Sequence, residues 1–387
     1  MNLQERIDRR RSAHQDGTIV VDRAHLAPVV HRSQPVGRGS VIEQLLDALE
    51  PVFDGDLPPP VAAVGPPGSG TSAVVTSVFD ALNTRLGDAN RSIETTTRSA
   101  PSEPVTWFVT VDAREMDSEF VFYRAILSGI SSDPVPRGGI GTEAVRDRLE
   151  THLERRDRRA VLAIDHHDEP GSLGYDRVRE LLEPFGENIS TVAVGQAAPD
   201  GWDLNRIPVP DYRRHELVDV LTDRASTGLA PGVLEHEGIR DLADWADGNA
   251  HDALAALFTA TVFAANDNVG SITGTHLEQA KDDVPAGGVH VGRALSVSRT
   301  RQQVLLELVR TTDRRSSIRD LADTIADRTD LTAGTVERFL YELADRGVLE
   351  RTPLPAEGSG RRPSSVEPRF PPTVFRMLTA AGSGDES

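Results

Sequence analysis

Short, mostly apolar runs alternate along this chain with longer stretches whose apolar positions recur at helical spacing. Val61 to Val64 is one such run, the pattern of a strand buried on both faces of a sheet. Val105 to Val111, Ala160 to Ile164 and Thr191 to Val194 repeat it. Between them lie helical patterns. Ser40 to Phe53 sets Val41, Leu45, Leu46, Leu49 and Val52 close to helical spacing, and Ala73 to Leu86, Asp117 to Ile130 and Thr142 to Arg155 read likewise. Strands alternating with helices predict a parallel α/β sheet. Gly87 to Pro104, rich in Ser, Thr and charge, is expected to be a loose loop. From Arg213 to about Ala280 the pattern is helical throughout, and a further helix follows over Ser298 to Arg310.

Near the C-terminus, Ser317-Ile318-Arg319-Asp320 opens a helix with a capping-box-like S-x-x-D. Ile318, Leu321, Ala322 and Ile325 then share one face. After a turn through Asp330, a second helix starts at Thr332, with Val336, Leu340, Leu343 and Ala344 as its expected buried stripe. Gly347 ends it at the C′ position, and Val348 to Arg351 begins a strand. Helix, turn, helix and strand resemble a winged helix, whose second helix enters the major groove. That helix would offer Thr332, Thr335 and Arg338 to bases. Pro355 to Pro368 would be the wing, with Arg361 and Arg362 placed for phosphates or a minor groove. Winged helices also serve as protein-docking modules, so both uses stay open at this point.

Charge sharpens that choice. The 387 residues carry a formal net charge of −18, with Lys281 the only lysine, a balance that suits a salt-rich cytoplasm. An acidic total ordinarily argues against nucleic-acid binding. Ser296 to Ser387, however, holds 14 Arg against 14 acidic residues, so the excess acid lies entirely upstream. The absence of cysteine excludes disulfides, thiolate zinc sites and thiol nucleophiles. No run approaches the ~18 apolar residues of a membrane span, and Met1 to Asp16 is polar. The expected location is the cytoplasm.

The chemistry centres on Gly65-Pro66-Pro67-Gly68-Ser69-Gly70-Thr71-Ser72-Ala73, set between a strand and a helix. Glycines let backbone N–H groups approach phosphate oxygens, and the helix N-terminus adds partial positive charge. The full signature is G-x-x-x-x-G-K-[ST]. Thr71 stands where the lysine belongs. ATP or ADP with Mg²⁺ is the expected cofactor, with Mg²⁺ held by Ser72 and by an acid at a later strand end. Asp165 supplies that acid. His166 follows it, where a glutamate would orient the attacking water. His166 and His167 as neighbours on a strand would point to opposite faces, which disfavours a shared metal ion.

With these residues in view, the chain resembles the archaeal origin-recognition and cell-division-cycle family, the AAA+ replication initiators. His31-Arg32 through Pro35-Val36-Gly37-Arg38 is similar to the family's approach to the P-loop. Asp165-His166-His167-Asp168 lies where the family has D-E-x-D. Pro210-Asp211-Tyr212 with Glu216, Leu217, Leu221 and Arg224 resembles its lid, as does Gly248-Asn249-Ala250-His251-Asp252-Ala253-Leu254.

The resemblance implies a P-loop AAA+-like α/β core, a helical lid and a C-terminal winged helix. Residues 1–20 would be a flexible tail, 21–210 the core, 211–292 the lid, 293–380 the DNA-binding domain and 381–387 a tail. It also implies degenerate catalytic positions: Thr71, His166, Gln196 at the sensor and His251 for the lid arginine. The helix bearing a trans-acting arginine finger is missing unless Arg206 stands in. Tyr212 and Arg224 would lie around the nucleotide, or else simply pack. Expected partners are double-stranded DNA and other initiator subunits, with no membrane. The implied function is a divergent initiator with hydrolysis lost. Its rivals are a transcriptional regulator or mobile-element protein on the same scaffold, and an active ATPase with unusual catalytic groups.

Overall fold

The computed structural model describes residues 18–94, 105–154, 158–311, 316–355 and 363–382. The chain divides into two compact units, His31–Asp211, and the residues up to Val30 together with Tyr212 onward. The α/β unit thus starts at His31 rather than at residue 21. The cause is local. Val20 bridges to Leu229, and helix α1 (Arg23–Leu26), N-capped by Asp22, buries Leu26 against Gly228, where a Cβ would not fit. The expected tail over residues 1–17 lies outside the described residues.

In the α/β unit, α2 (Gly39–Leu49) leads through a 3-10 turn to β1 (Val61–Val64). Then follow α3 (Thr71–Glu94), β2 (Val105–Asp112), α4 (Glu119–Ile130), α5 (Thr142–Leu153), β3 (Arg158–Asp165), α6 (Tyr175–Leu182), β4 (Ile189–Gly195) and β5 (Asn205–Pro208). The strands are parallel, in the order β2-β3-β4-β1-β5.

Strand β3 shows why this sheet carries helices on both faces. Its side chains alternate. Ala160, Leu162 and Ile164 join the cluster of Phe122, Ile126 and Leu149 from α4 and α5, while Val161 and Ala163 join Leu45, Val75 and Phe79 from α2 and α3. Each large apolar side chain so buried contributes about 1.5–3 kcal/mol.

Three expectations change in this unit. Helix α3 runs through Glu94, into the segment expected as a loop. A single Gly costs a helix only about 1 kcal/mol, so Gly87 does not stop one already nucleated. Residues 95–104 lie outside the described residues. Helix α6 and strand β5 are additions. In β5 only Ile207 is buried, so no apolar run announces it. Arg206 is exposed there, opposite Ala62, and no helix forms between Gly195 and Asn205.

In the second unit α7 (Arg214–Gly228), α8 (His236–Trp245), α9 (Ala250–Asn266) and α10 (Gly274–Asp283) form a helical layer. Helix α9 is buried almost all round. After α11 (Val291–Leu295) come α12 (Arg299–Arg310), α13 (Ile318–Ala326) and α14 (Ala333–Asp345). Strands β6 (Leu349–Pro353) and β7 (Ser364–Pro368) then pair antiparallel, and α15 (Pro372–Gly382) follows.

Three helices with a β-hairpin make a winged helix. The caps are as expected. Ser317 and Asp320 form a capping box, Thr332 caps α14, and Gly347 adopts φ 68°. Phe339 rather than Ala344 completes the buried stripe of α14. Strand β7 occupies the end of the expected wing loop, with Ser365 and Val366 buried. Helix α15 was not anticipated. It buries Val374 and Phe375, and its Thr373 hydroxyl donates to Asp283 at 3.1 Å. Among the described residues no helix is long and apolar enough to cross a membrane.

Candidate nucleotide site and nucleic-acid interface

Strand β1 ends at the glycine-rich loop, and α3 begins at Thr71. Gly68 and Gly70 take φ of 77° and 82°, the left-handed region that side chains avoid. At Gly65 an added Cβ would lie 2.3 Å from the Val209 carbonyl oxygen. The loop backbone therefore has the turn that phosphate binding needs.

The lysine position is filled differently. Thr71 is only 8% exposed, and its hydroxyl shares a hydrogen bond with Ser69 Oγ at 2.9 Å. Arg38, 2% exposed, supports the loop from outside: Nε donates to the Ser69 carbonyl at 2.9 Å and Nη2 to that of Pro210 at 2.8 Å. The cation at this loop holds backbone, where a P-loop lysine would hold phosphate.

Ser72 Oγ donates to Asp165 Oδ1 at 3.0 Å, so the two residues expected at Mg²⁺ stand together. Burial pushes the Asp165 carboxyl above the ordinary aspartate range, against the opposing pull of the His166 charge and the Ser72 hydrogen bond. His166 lies beyond the strand end with φ 60°. It is thus a turn residue, which removes the opposite-faces premise applied to the two histidines. Its Nε2 sits 3.4 Å from Asp165 Oδ2 and its Nδ1 3.3 Å from Glu169 Oε1. Burial works against protonating it. The Glu169 hydrogen bond and the Asp165 charge outweigh that and raise its pKa. An imidazole clasped between two carboxylates is poorly suited to take a proton from water.

The sensor position is also rewired. Asp168 Oδ2 accepts the backbone N–H groups of Gln196 (2.7 Å) and Ala197 (2.9 Å), while the Gln196 side chain is exposed. Gly195 makes this possible, since a Cβ there would lie 2.6 Å from Asp168. Arg114, overlooked in the sequence, grips Asp112 with Nε and Nη2 at 2.9 and 2.6 Å at the carboxyl edge of the sheet.

In the second unit the Tyr212 N–H donates to the Gly248 carbonyl, and Arg224 donates to the carbonyls of His25 and Val30 at 2.9 and 2.6 Å. His251 is buried. Its Nε2 accepts the Val291 N–H at 3.1 Å, and its ring lies 4.1 Å from that of His290. On α14, the Thr332 and Thr335 hydroxyls share a hydrogen bond of 2.9 Å at the helix start. Arg338 is 64% exposed. Arg361 and Arg362 lie outside the described residues.

Residues 34–192 match the AAA ATPase domain family and residues 218–282 the Cdc6 AAA+ ATPase-type lid domain. ORC1-type DNA replication protein 6 of Halobacterium salinarum is 23% identical, over 84% of this chain and 86% of its own. The Aeropyrum pernix ORC1 protein, solved in complex with DNA, superposes with a TM-score of 0.62 at 20% identity, covering 94% of this chain and 97% of that one. The ORC2 protein of the same organism, solved as ADPNP-ADP complexes, gives 0.58 at 15% identity over 94% and 99%. With an AAA ATPase domain followed by a Cdc6-type lid, this chain belongs to the Orc1/Cdc6-type AAA+ replication initiator family, as a divergent member with Thr71 at the P-loop lysine and His166 beside the strand-end aspartate.

Proposed function

We propose that this protein binds duplex DNA through its winged helix, in the manner of a replication initiator. In this reading its AAA+ module holds ATP or ADP with Mg²⁺ as a conformational ligand that it does not hydrolyse. The observation that carries the reading is the Ser72–Asp165 pair at 3.0 Å beside a loop of phosphate-binding shape. The cradle persists while Thr71 and His166 are committed to internal bonds. Gly65 to Ala73 would line the phosphates and Ser72 with Asp165 would hold Mg²⁺. Without lysine, glutamate or a polar sensor aimed inward, little remains to stabilise charge in phosphoryl transfer. Tyr212 and Arg224 pack the helical unit in this reading. Thr332, Thr335 and Arg338 would face bases, and Arg361 and Arg362 phosphates. Relatives described as DNA replication proteins and a fold neighbour solved on DNA support the DNA assignment. Other initiator subunits would be natural partners.

Two measurements on the full chain test this. Mg²⁺-dependent turnover is expected to equal that of the Ser72→Ala, Asp165→Ala double variant. Clear turnover that the double variant abolishes would make this a working ATPase. A genome-wide occupancy map should show sites where replication starts, and occupancy confined to promoters would make it a regulator.

A further inference from the structure

Helix α14 carries an arrangement that the DNA reading does not require. Phe339 is buried, and two guanidinium groups lie over its ring. Arg301, from α12, stands 4.7 Å from the centroid, and Arg338, from α14 itself, 5.2 Å. One carboxylate joins them. Glu342 Oε2 accepts from Arg301 Nη2 at 2.5 Å and Nε at 3.2 Å, and Glu342 Oε1 lies 3.8 Å from Arg338 Nε. Arg338 and Glu342 are four residues apart, hence neighbours on one helix face. That face lies away from the buried Val336, Leu340 and Leu343.

The atoms involved matter. The carboxylate approaches Arg338 from its Nε side, at 3.8 Å, and the guanidinium carbon lies 5.2 Å from the Phe339 ring centroid. The terminal nitrogens are then left at the free end of the planar fork. Guanine presents two acceptors, O6 and N7, in the major groove at the spacing such a fork fits. Adenine replaces one acceptor with a donor, and thymine and cytosine lack the pair. An arginine drawn to one side by a ring and a carboxylate before binding also loses less rotamer freedom when it docks. Glu342 by itself would repel phosphate, so its place on a DNA-facing helix calls for a role. Arg301 neutralises and fixes it.

We propose that Arg338 reads a guanine in the preferred DNA site, and that Glu342 and Arg301 are positioning residues that hold its guanidinium for that contact. The inference rests on the DNA-binding reading of the winged helix. It predicts one position of the site where guanine is strongly preferred.

The test selects preferred sites from a random duplex pool with the full-length protein at the salt of the cell, then measures affinities for the chosen site with each base at each position. Wild type should favour guanine at one position about 10- to 100-fold. Arg338→Ala should erase the preference at that position alone. Glu342→Gln should cut it about 2- to 5-fold while tightening binding to random duplex, because a negative charge has gone. Arg301→Met should weaken the preference with no such tightening. Melting curves exclude misfolding, and Arg338→Lys, which keeps the charge without the fork, should lose the preference and retain random-duplex affinity. A guanine preference untouched by Arg338→Ala, or one that survives Glu342→Gln and Arg301→Met in full, would overturn the proposal. Failure of the wild type to bind any duplex would overturn the DNA reading itself, and this inference with it.

Discussion

Thr71 Oγ1 lies 2.9 Å from Ser69 Oγ, hydroxyl to hydroxyl, inside the turn of the glycine-rich loop. A P-loop lysine would start from the Thr71 backbone and extend outward to the phosphates. Here the side chain is short, buried and tied back to the loop. The bond exchanges a ligand contact for an internal one and leaves the backbone turn intact, with Gly68 and Gly70 still left-handed. Shape and charge, which usually come together in this motif, have separated.

Restoring the lysine should therefore restore charge without chemistry. Thr71→Lys is expected to raise affinity for ATP about 10- to 100-fold, the worth of one hydrogen bond to a charged group. Turnover should stay absent, because His166 remains clasped by Asp165 and Glu169. Calorimetric titration reads the first and phosphate release the second. Unchanged affinity would mean that the loop no longer accepts phosphate.

Arg38 should matter for stability more than its place ahead of the loop suggests. Its buried guanidinium bonds the carbonyls of Ser69 and Pro210, residues far apart in the chain. Arg38→Met leaves both acceptors without these donors and should cost about 2–4 kcal/mol, read from denaturant unfolding. Arg38→Lys, which cannot span both carbonyls, should recover only part.

Much of this was legible beforehand, and the omissions have physical reasons. Strands β1, β3 and β4 are buried on both faces, so short apolar runs announced them. The caps at Ser317, Thr332 and Gly347 are local signals and stood where expected. Strand β5 has one inward side chain, Ile207, and offers no pattern to read. Helix α15 starts at Pro372, and proline is well suited to the first turn of a helix. The contacts of Arg38 and Asp168 stayed hidden for another reason. Their partners are backbone groups brought close only by the fold, and no local spacing encodes them.

His166 should give stability a particular pH dependence. Its folded pKa is raised above the unfolded value of about 6.5. The folded state therefore holds the proton more tightly, and the resulting stability is fully present below pH ~6.5 and is lost as pH rises through the folded pKa. His166→Asn keeps a residue that tolerates φ 60° but cannot be charged. The melting difference between wild type and variant should be largest near pH 6 and shrink toward alkaline pH. The lowered pKa of His167 acts in the opposite sense; burial, its main cause, is common to both proteins, and the smaller push from the His166 charge is lost in the variant. A gap that widens with rising pH would contradict the assignment.

The last prediction concerns Arg361 and Arg362, proposed here as phosphate contacts of the wing. A residue that only neutralises phosphate should not distinguish sequences. Replacing both with Ala in the full chain should weaken binding to every duplex alike and lower the slope of log affinity against log salt by about two, since each lost contact retains roughly one counterion. The measurement must span salt up to that of the cell. At low ionic strength the overall charge of −18 repels the duplex, whereas a Debye length of about 3 Å at 1 M leaves only close contacts to act. An unchanged slope would remove the wing from the DNA interface. A loss confined to the preferred site would instead make these arginines readers of sequence or groove shape.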